Sequence, residues 1–227
     1  MRSVVLVHGA GSGPWVFDGW REALGDFEVE AVDLHAGLNV AEAAMSNYAA
    51  AAVRAAERLR PPRAICGWSM GGLVAMLAAR QAGVERLVLL EPSPPAEVQG
   101  LDAGIPLETG TFDPEDVYGA FPAGVRARPE SRLARAERKR GVSVPSLPCP
   151  ALVVSGDDYA EARGTAVAGV YSSEELFVPR LNHWSLVLDR RVPAAVAAWL
   201  GGEDPTPHAQ SEERPAPGGA GMNKNEG

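Results

Sequence analysis

Gly67-Trp68-Ser69-Met70-Gly71-Gly72 is the stretch on which the reading of this chain turns. It follows the apolar run Arg63 to Cys66 and opens the alanine-rich run Leu73 to Ala82. That order predicts a strand, a sharp turn with a serine at its apex, and a helix. The spacing Gly67-x-Ser69-x-Gly71 is that of a nucleophile elbow, in which a strained turn lifts the serine hydroxyl clear of the sheet edge. Glycines two before and two after are required where strand and helix pass too closely for a Cβ. A serine hydroxyl is a weak nucleophile, so an elbow implies a histidine base and an acid behind it. It also puts the amide of Met70 at a helix N-terminus, where an oxyanion can bind.

The chain around this turn has 227 residues, 46% of them hydrophobic, which suits one α/β domain. The formal charge of -8 and the lack of a basic stripe argue against a nucleic-acid partner. The one dense basic stretch, Arg126 to Arg140, also holds Glu130 and Glu137 and reads as a solvated helix face, with an anionic substrate or partner as the lesser alternative. Two cysteines, Cys66 and Cys149, read as buried free thiols. The opening MRSVVLVHG is too short an apolar run for a secretory signal, and no run is long enough to span a bilayer. A reduced, cytoplasmic protein with a small-molecule substrate and no membrane partner is the expectation.

Strand-like and helix-like patterns alternate along the chain. Strands are expected at Ser3 to His8, Glu28 to Asp33, Ala64 to Trp68, Glu85 to Leu90, Ala151 to Ser155 and Glu174 to Val178. Helices are expected at Val16 to Leu24, Ala41 to Arg60, Met70 to Ala82 and Val192 to Leu200. Continuous apolar strands separated by helices predict an α/β fold with a mostly parallel sheet of about six strands, covered on both faces. The stretch from about 92 to 148 breaks the rhythm, with one helical run around Ser131 to Lys139, and is expected to form a short cap inserted into a domain of residues 1–201. From Gly202 to Gly227 the composition is that of a disordered tail, and His208 within it is given no role.

The remaining site residues follow from position. His8-Gly9-Ala10-Gly11 ends the first strand at the carboxyl edge of the sheet, where ligands bind in open α/β folds. The amide of Ala10 is the candidate second oxyanion donor, and His8 is read as ordering that loop. Behind such an elbow the chain order is serine, acid, histidine. His183, in Leu181-Asn182-His183-Trp184 after the last strand, is therefore the candidate base, while His35, after the second strand, is read as a solvent-facing loop residue, with a place in the pocket lining as the lesser alternative. Three carboxylates compete for the acid: Asp158 is placed first, Asp157 second, both in Ser155-Gly156-Asp157-Asp158-Tyr159, and Glu91, at the end of the fourth strand, third. Gly9, Gly11, Trp68 and Trp184 are candidate pocket residues. Trp15 and Trp20 either wall an acyl site or pin the first helix.

These segments, taken in order, resemble the α/β-hydrolase superfamily over roughly Arg2 to Leu200. The opening HGAGSGPWVFDGW with Ala31-Val32-Asp33-Leu34 is similar to the branch of small esterases and hydroxynitrile lyases. The resemblance implies Ser69 as nucleophile, His183 as base, Ala10 and Met70 as oxyanion donors, and no metal or organic cofactor. It also implies a trimmed sheet, since the chain opens on what is the third strand of the full fold. In the family the acid sits three residues after the glycine that ends the fifth strand read here; that position is Tyr159, so the loop is read as one residue short.

Hydrolysis of small to medium carboxylic esters through an acyl-enzyme is the leading expectation. C–C bond, lactone or thioester hydrolysis would use the same residues. Cyanohydrin cleavage would call for a lysine near the site; none lies between Met1 and Glu137, leaving Lys139 in the cap. A non-catalytic ligand-binding protein on the same fold is the third reading.

Overall fold

A computed structural model describes residues 2–157, 159 and 163–205. Six parallel strands form one sheet: β1 (Arg2–Val7), β2 (Phe27–Val32), β3 (Arg63–Trp68), β4 (Arg86–Leu90), β7 (Ala151–Ser155) and β8 (Glu174–Phe177), in the order β2-β1-β3-β4-β7-β8. Between β4 and β7 a two-stranded antiparallel ribbon, β5 (Thr111–Phe112) and β6 (Glu130–Ser131), lies apart from it. The sheet and its flanking helices are those of the α/β-hydrolase fold, as expected.

The sheet separates two apolar layers because side chains alternate along each strand. Val5, Val7, Ile65, Leu87, Leu89 and Val153 point to the face covered by α1 (Met45–Arg58), α2 (Met70–Ala82) and α6 (Thr165–Tyr171). Val4, Leu6, Cys66, Trp68, Val88, Leu90 and Val154 point to the other, covered by α7 (His183–Leu188) and α8 (Arg191–Gly201). The two central strands are apolar on both faces, which is why they read as unbroken hydrophobic runs.

Two helix expectations change. The segment expected as a helix over Val16 to Leu24 is a 3-10 helix, Pro14–Trp20. Gly19 and Gly25 weaken an α-helix there, and Trp20 is pinned by its indole N–H to Val187 O at 2.8 Å. The long helix expected from Ala41 starts instead at Met45, after a 3-10 turn Val40–Glu42, where Glu137, from the stretch between β4 and β7, accepts from Met45 N at 2.7 Å. Pro61 and Pro62 end it.

The stretch read as a cap carries α3 (Ala96–Gln99), β5, α4 (Pro114–Tyr118), β6 and α5 (Arg132–Arg140). Among the described residues no helix is long and apolar enough to cross a membrane. The tail expected to be disordered, with His208, lies outside the described residues from position 206 onward.

Candidate active site

Ser69 stands between β3 and α2 with φ 57° and ψ -123°, a backbone conformation of positive φ that a non-glycine residue adopts only under constraint. The constraint is packing. A Cβ on Gly67 would lie 2.1 Å from Gly71 O, and one on Gly71 would lie 2.2 Å from Val7 O. Strand and helix therefore meet backbone to backbone, as the spacing of the two glycines predicts. Ser69 N donates to Leu90 O at 3.0 Å, and Ser69 O accepts from Ser93 N at 2.8 Å, so the turn is held by the end of β4.

The loop after β1 lies against this turn. A Cβ on Gly9 would stand 2.9 Å from the Trp68 ring and 3.0 Å from Ser69 Cβ. Gly11 N donates to Glu130 Oε2 at 2.9 Å, and Ser12 N and Oγ both bond Gly9 O. Ala10 is half-buried, and Met70 begins α2. Met70 N is among the first amides of α2, which have no partner within the helix.

His8 orders the loop, as expected. Its Nε2 accepts from Leu34 N at 3.1 Å, which leaves Nδ1 as the donor to Gly9 O at 2.9 Å. Complete burial pushes its pKa below the ordinary 6.5, so the ring is neutral.

His183 is the first residue of α7, after Asn182, whose side chain caps the helix by accepting from Ser185 N. His183 is held by three contacts. Its ring packs on Trp68 with centroids 5.0 Å apart, its backbone carbonyl accepts from Trp68 Nε1 at 3.1 Å, and its Nδ1 meets Glu91 Oε2 at 2.5 Å. That last contact fixes the tautomer and leaves Nε2 as the nitrogen able to take a proton. No hydrogen bond joins Ser69 Oγ to His183 among the described residues; in sites of this kind that link tightens as the substrate seats.

Of the three carboxylates weighed for the acid, the structure brings Glu91 to the histidine. Glu91 follows β4 with φ 40°, and its side chain is fully buried. Its other oxygen accepts from Gly156 N at 2.8 Å. Asp157 is turned elsewhere, accepting from Arg180 N at 3.0 Å. Asp158, placed first in sequence, lies outside the described residues. Tyr159, at the family's acid position, is buried and hydrogen-bonds Pro92 O, one residue past Glu91. The carboxylate thus arrives from the neighbouring strand, with the amide of Gly156, in the loop where an aspartate was expected, as one of its donors.

Sequence reading missed a second polar cluster, centred on Glu130. This carboxylate is fully buried yet accepts from Gly11 N, Tyr48 Oη (2.5 Å) and Ser131 N (2.8 Å), with His35 Nε2 at 3.3 Å. Burial alone would push its pKa up, but the bonds from His35, Tyr48 and Gly11 outweigh it and hold it near 2. Nearby, Arg128 donates to Ser12 O and to both Asp33 oxygens, and lies over the Trp15 ring with Arg126. His35 is thus part of a largely buried network rather than a solvent-facing loop residue. A glutamate within a basic stretch, just before a helix, was the available signal. Trp184 packs between Trp68 and Phe121, whereas Trp20 is core. Among the described residues no group of three or more His, Cys, Asp or Glu is placed to hold a metal ion.

A strained serine at a strand-to-helix turn, a carboxylate-held histidine and a small-residue loop at one sheet edge define a hydrolase-type site. The chain belongs to the alpha/beta hydrolase family, which it matches over residues 4–220. Among solved structures it is similar to polyneuridine aldehyde esterase (15% identity, TM-score 0.63, 88% of this chain and 99% of the other). It is likewise similar to a pyrethroid hydrolase from Sphingobium faniae (16%, 0.63, 89% and 97%) and to an extracellular alpha/beta-hydrolase from a Paenibacillus species (15%, 0.64, 90% and 99%). The sequence matches none of the curated proteins compared with it.

Proposed function

We propose that this protein hydrolyses carboxylic esters through an acyl-enzyme on Ser69, with His183 as general base and Glu91 as the acid that orients it. The observation that carries the reading is the 2.5 Å contact between Glu91 Oε2 and His183 Nδ1 beside the strained Ser69 turn. A buried carboxylate on Nδ1 stabilises the imidazolium that forms when Nε2 takes the serine proton. Ser69 Oγ then attacks the ester carbonyl carbon. The amide N–H groups of Ala10 and Met70 hold the resulting oxyanion; losing one such donor typically costs about 100- to 1000-fold in rate. Collapse expels the alcohol with the proton from His183, and water, activated by the same nitrogen, releases the acid. The esterases and hydrolases among the similar structures support this class without naming a substrate. Two cysteines without a disulfide support a reduced, cytoplasmic setting.

The test is turnover of p-nitrophenyl esters of increasing acyl length by the wild type beside Ser69→Ala. Turnover that disappears in the variant, with its circular dichroism unchanged, is expected. Equal turnover by both would remove Ser69 from the chemistry.

A further inference from the structure

One cavity of about 330 Å³ borders the serine turn through Ser93, whose amide is bonded to Ser69 O. Four cationic side chains, Arg135, Arg138, Lys139 and Arg163, also line it. They gather in a chain whose net charge is -8. Three of them fall at i, i+3 and i+4 on α5, one face of the helix. Arg163 comes from the far side, after β7.

A solvated face would keep such heads in water and pair them with acids on the surface. Here, among the described residues, the Nε of Arg135 and of Arg138 is buried with no acceptor, the Arg135 guanidinium lying over the Phe112 ring. Among the described residues none of the four takes part in a salt bridge. Arg138 reaches the Ser93 side of the cavity, donating to Ser93 Oγ at 3.3 Å and to Tyr118 Oη at 3.1 Å. The position of Arg138 and Lys139 in the last turn of α5 suits the helix dipole, but that accounts for neither Arg135 nor Arg163. A guanidinium N–H with no acceptor in a buried place costs free energy that an incoming anion would recover.

We propose that this cavity binds an anionic group, carboxylate or phosphate, carried by the ester that Ser69 attacks. The preferred substrate is then a charged ester, such as a monoester of a dicarboxylic acid, rather than a neutral one. The proposal rests on the ester-hydrolase reading for the position of the reacting carbonyl, and on the cavity itself for the anion.

Two measurements separate the two ideas. In the first, p-nitrophenyl hemisuccinate, hemiglutarate and hemiadipate are compared with neutral esters of equal length, using wild type, Arg135→Gln and Arg135→Lys. The charged-to-neutral ratio of kcat/KM is expected to fall about tenfold in Arg135→Gln and to be largely kept in Arg135→Lys. Added salt should lower the charged rates alone. In the second, glutarate and inorganic phosphate are titrated calorimetrically into the same proteins. At least one should bind the wild type, about tenfold more weakly after Arg135→Gln. A ratio that does not move in any pair, together with no binding of either anion, overturns the pocket while leaving ester hydrolysis standing. Absence of turnover of every ester defeats the hydrolase reading instead, and the anion titration then decides the pocket alone.

Discussion

Glu91 is the residue on which the proposed site depends. A carboxylate that ends an apolar strand and is then buried has to be fully paired, since an unpaired buried charge is far more costly than an exposed one. It is paired twice, to His183 Nδ1 and Gly156 N. Glu91→Gln keeps the shape but removes the charge facing the imidazolium and lets the wrong tautomer form. The expected result is a loss in kcat of about 10³- to 10⁴-fold with KM little changed, measured on the best p-nitrophenyl ester. Asp157→Asn, which alters only a loop contact to Arg180 N, should stay within about twofold. Ser69 and its glycines were legible because the turn is local: six consecutive residues dictate it. His183 was legible from chain order. Glu91 was weighed only third because its partner is 92 positions away. Two adjacent aspartates in the usual loop competed with it, and local sequence carries no measure of burial. The signal that would have found it is a charged residue closing an all-apolar strand beside the nucleophile strand.

Elements joined across long sequence distances hold the loop at Ala10. Glu130, on the short strand β6, takes Gly11 N on one side and Tyr48 of α1 on the other. Glu130→Gln leaves a neutral amide where four donors face an anion, so unfolding free energy should fall by about 2–4 kcal/mol, read from urea denaturation. The loosened loop should lower kcat more than it raises KM. The pH dependence has a definite sign. Glu130 is held near 2 against an ordinary 4.5, so its contribution is complete above 4.5 and is lost as pH falls towards 2. Burial depresses the pKa of His8 below 6.5, and its contribution is lost as pH falls below 6.5. The wild type should therefore lose stability steadily from pH 7 into acid, and Glu130→Gln should flatten the part below pH 4.5. Little of this network was legible in sequence beyond Glu130 itself, an acid within a basic stretch. It joins residues 11, 35, 48 and 130, and Arg126 to Arg140 reads locally as an ordinary charged helix face.

At the scale of the whole molecule, the segments between β4 and β7 are fastened to the sheet edge by a few polar residues. Arg128 bonds Ser12 O and Asp33 and stacks on Trp15. Glu137 caps α1, and Ser131 Oγ donates to Ala43 O. Arg128→Met should cost about 1–2 kcal/mol, discounted because both members of its pair with Asp33 are partly exposed. Limited proteolysis should then cut between 92 and 148 sooner than in the wild type. The main sheet was legible throughout, each strand to within a residue or so at either end, because the inner strands are nearly continuous apolar runs and the edge strands β2 and β8, though they carry glutamates, are bounded by turn and helix signals. The ribbon β5–β6 and the 3-10 helix Pro14–Trp20 were not. They are short and take their shape from tertiary partners rather than from a repeating pattern.

The most direct test of the Ser69–His183–Glu91 arrangement is the rate of covalent labelling by a fluorophosphonate, followed by intact mass and mapped by peptide. The wild type should label once, at Ser69, and Glu91→Gln should label about 10³-fold more slowly while Asp158→Asn labels at the wild-type rate. Labelling that is unaffected by Glu91→Gln but lost in Asp158→Asn, or that maps to another residue, would contradict the arrangement.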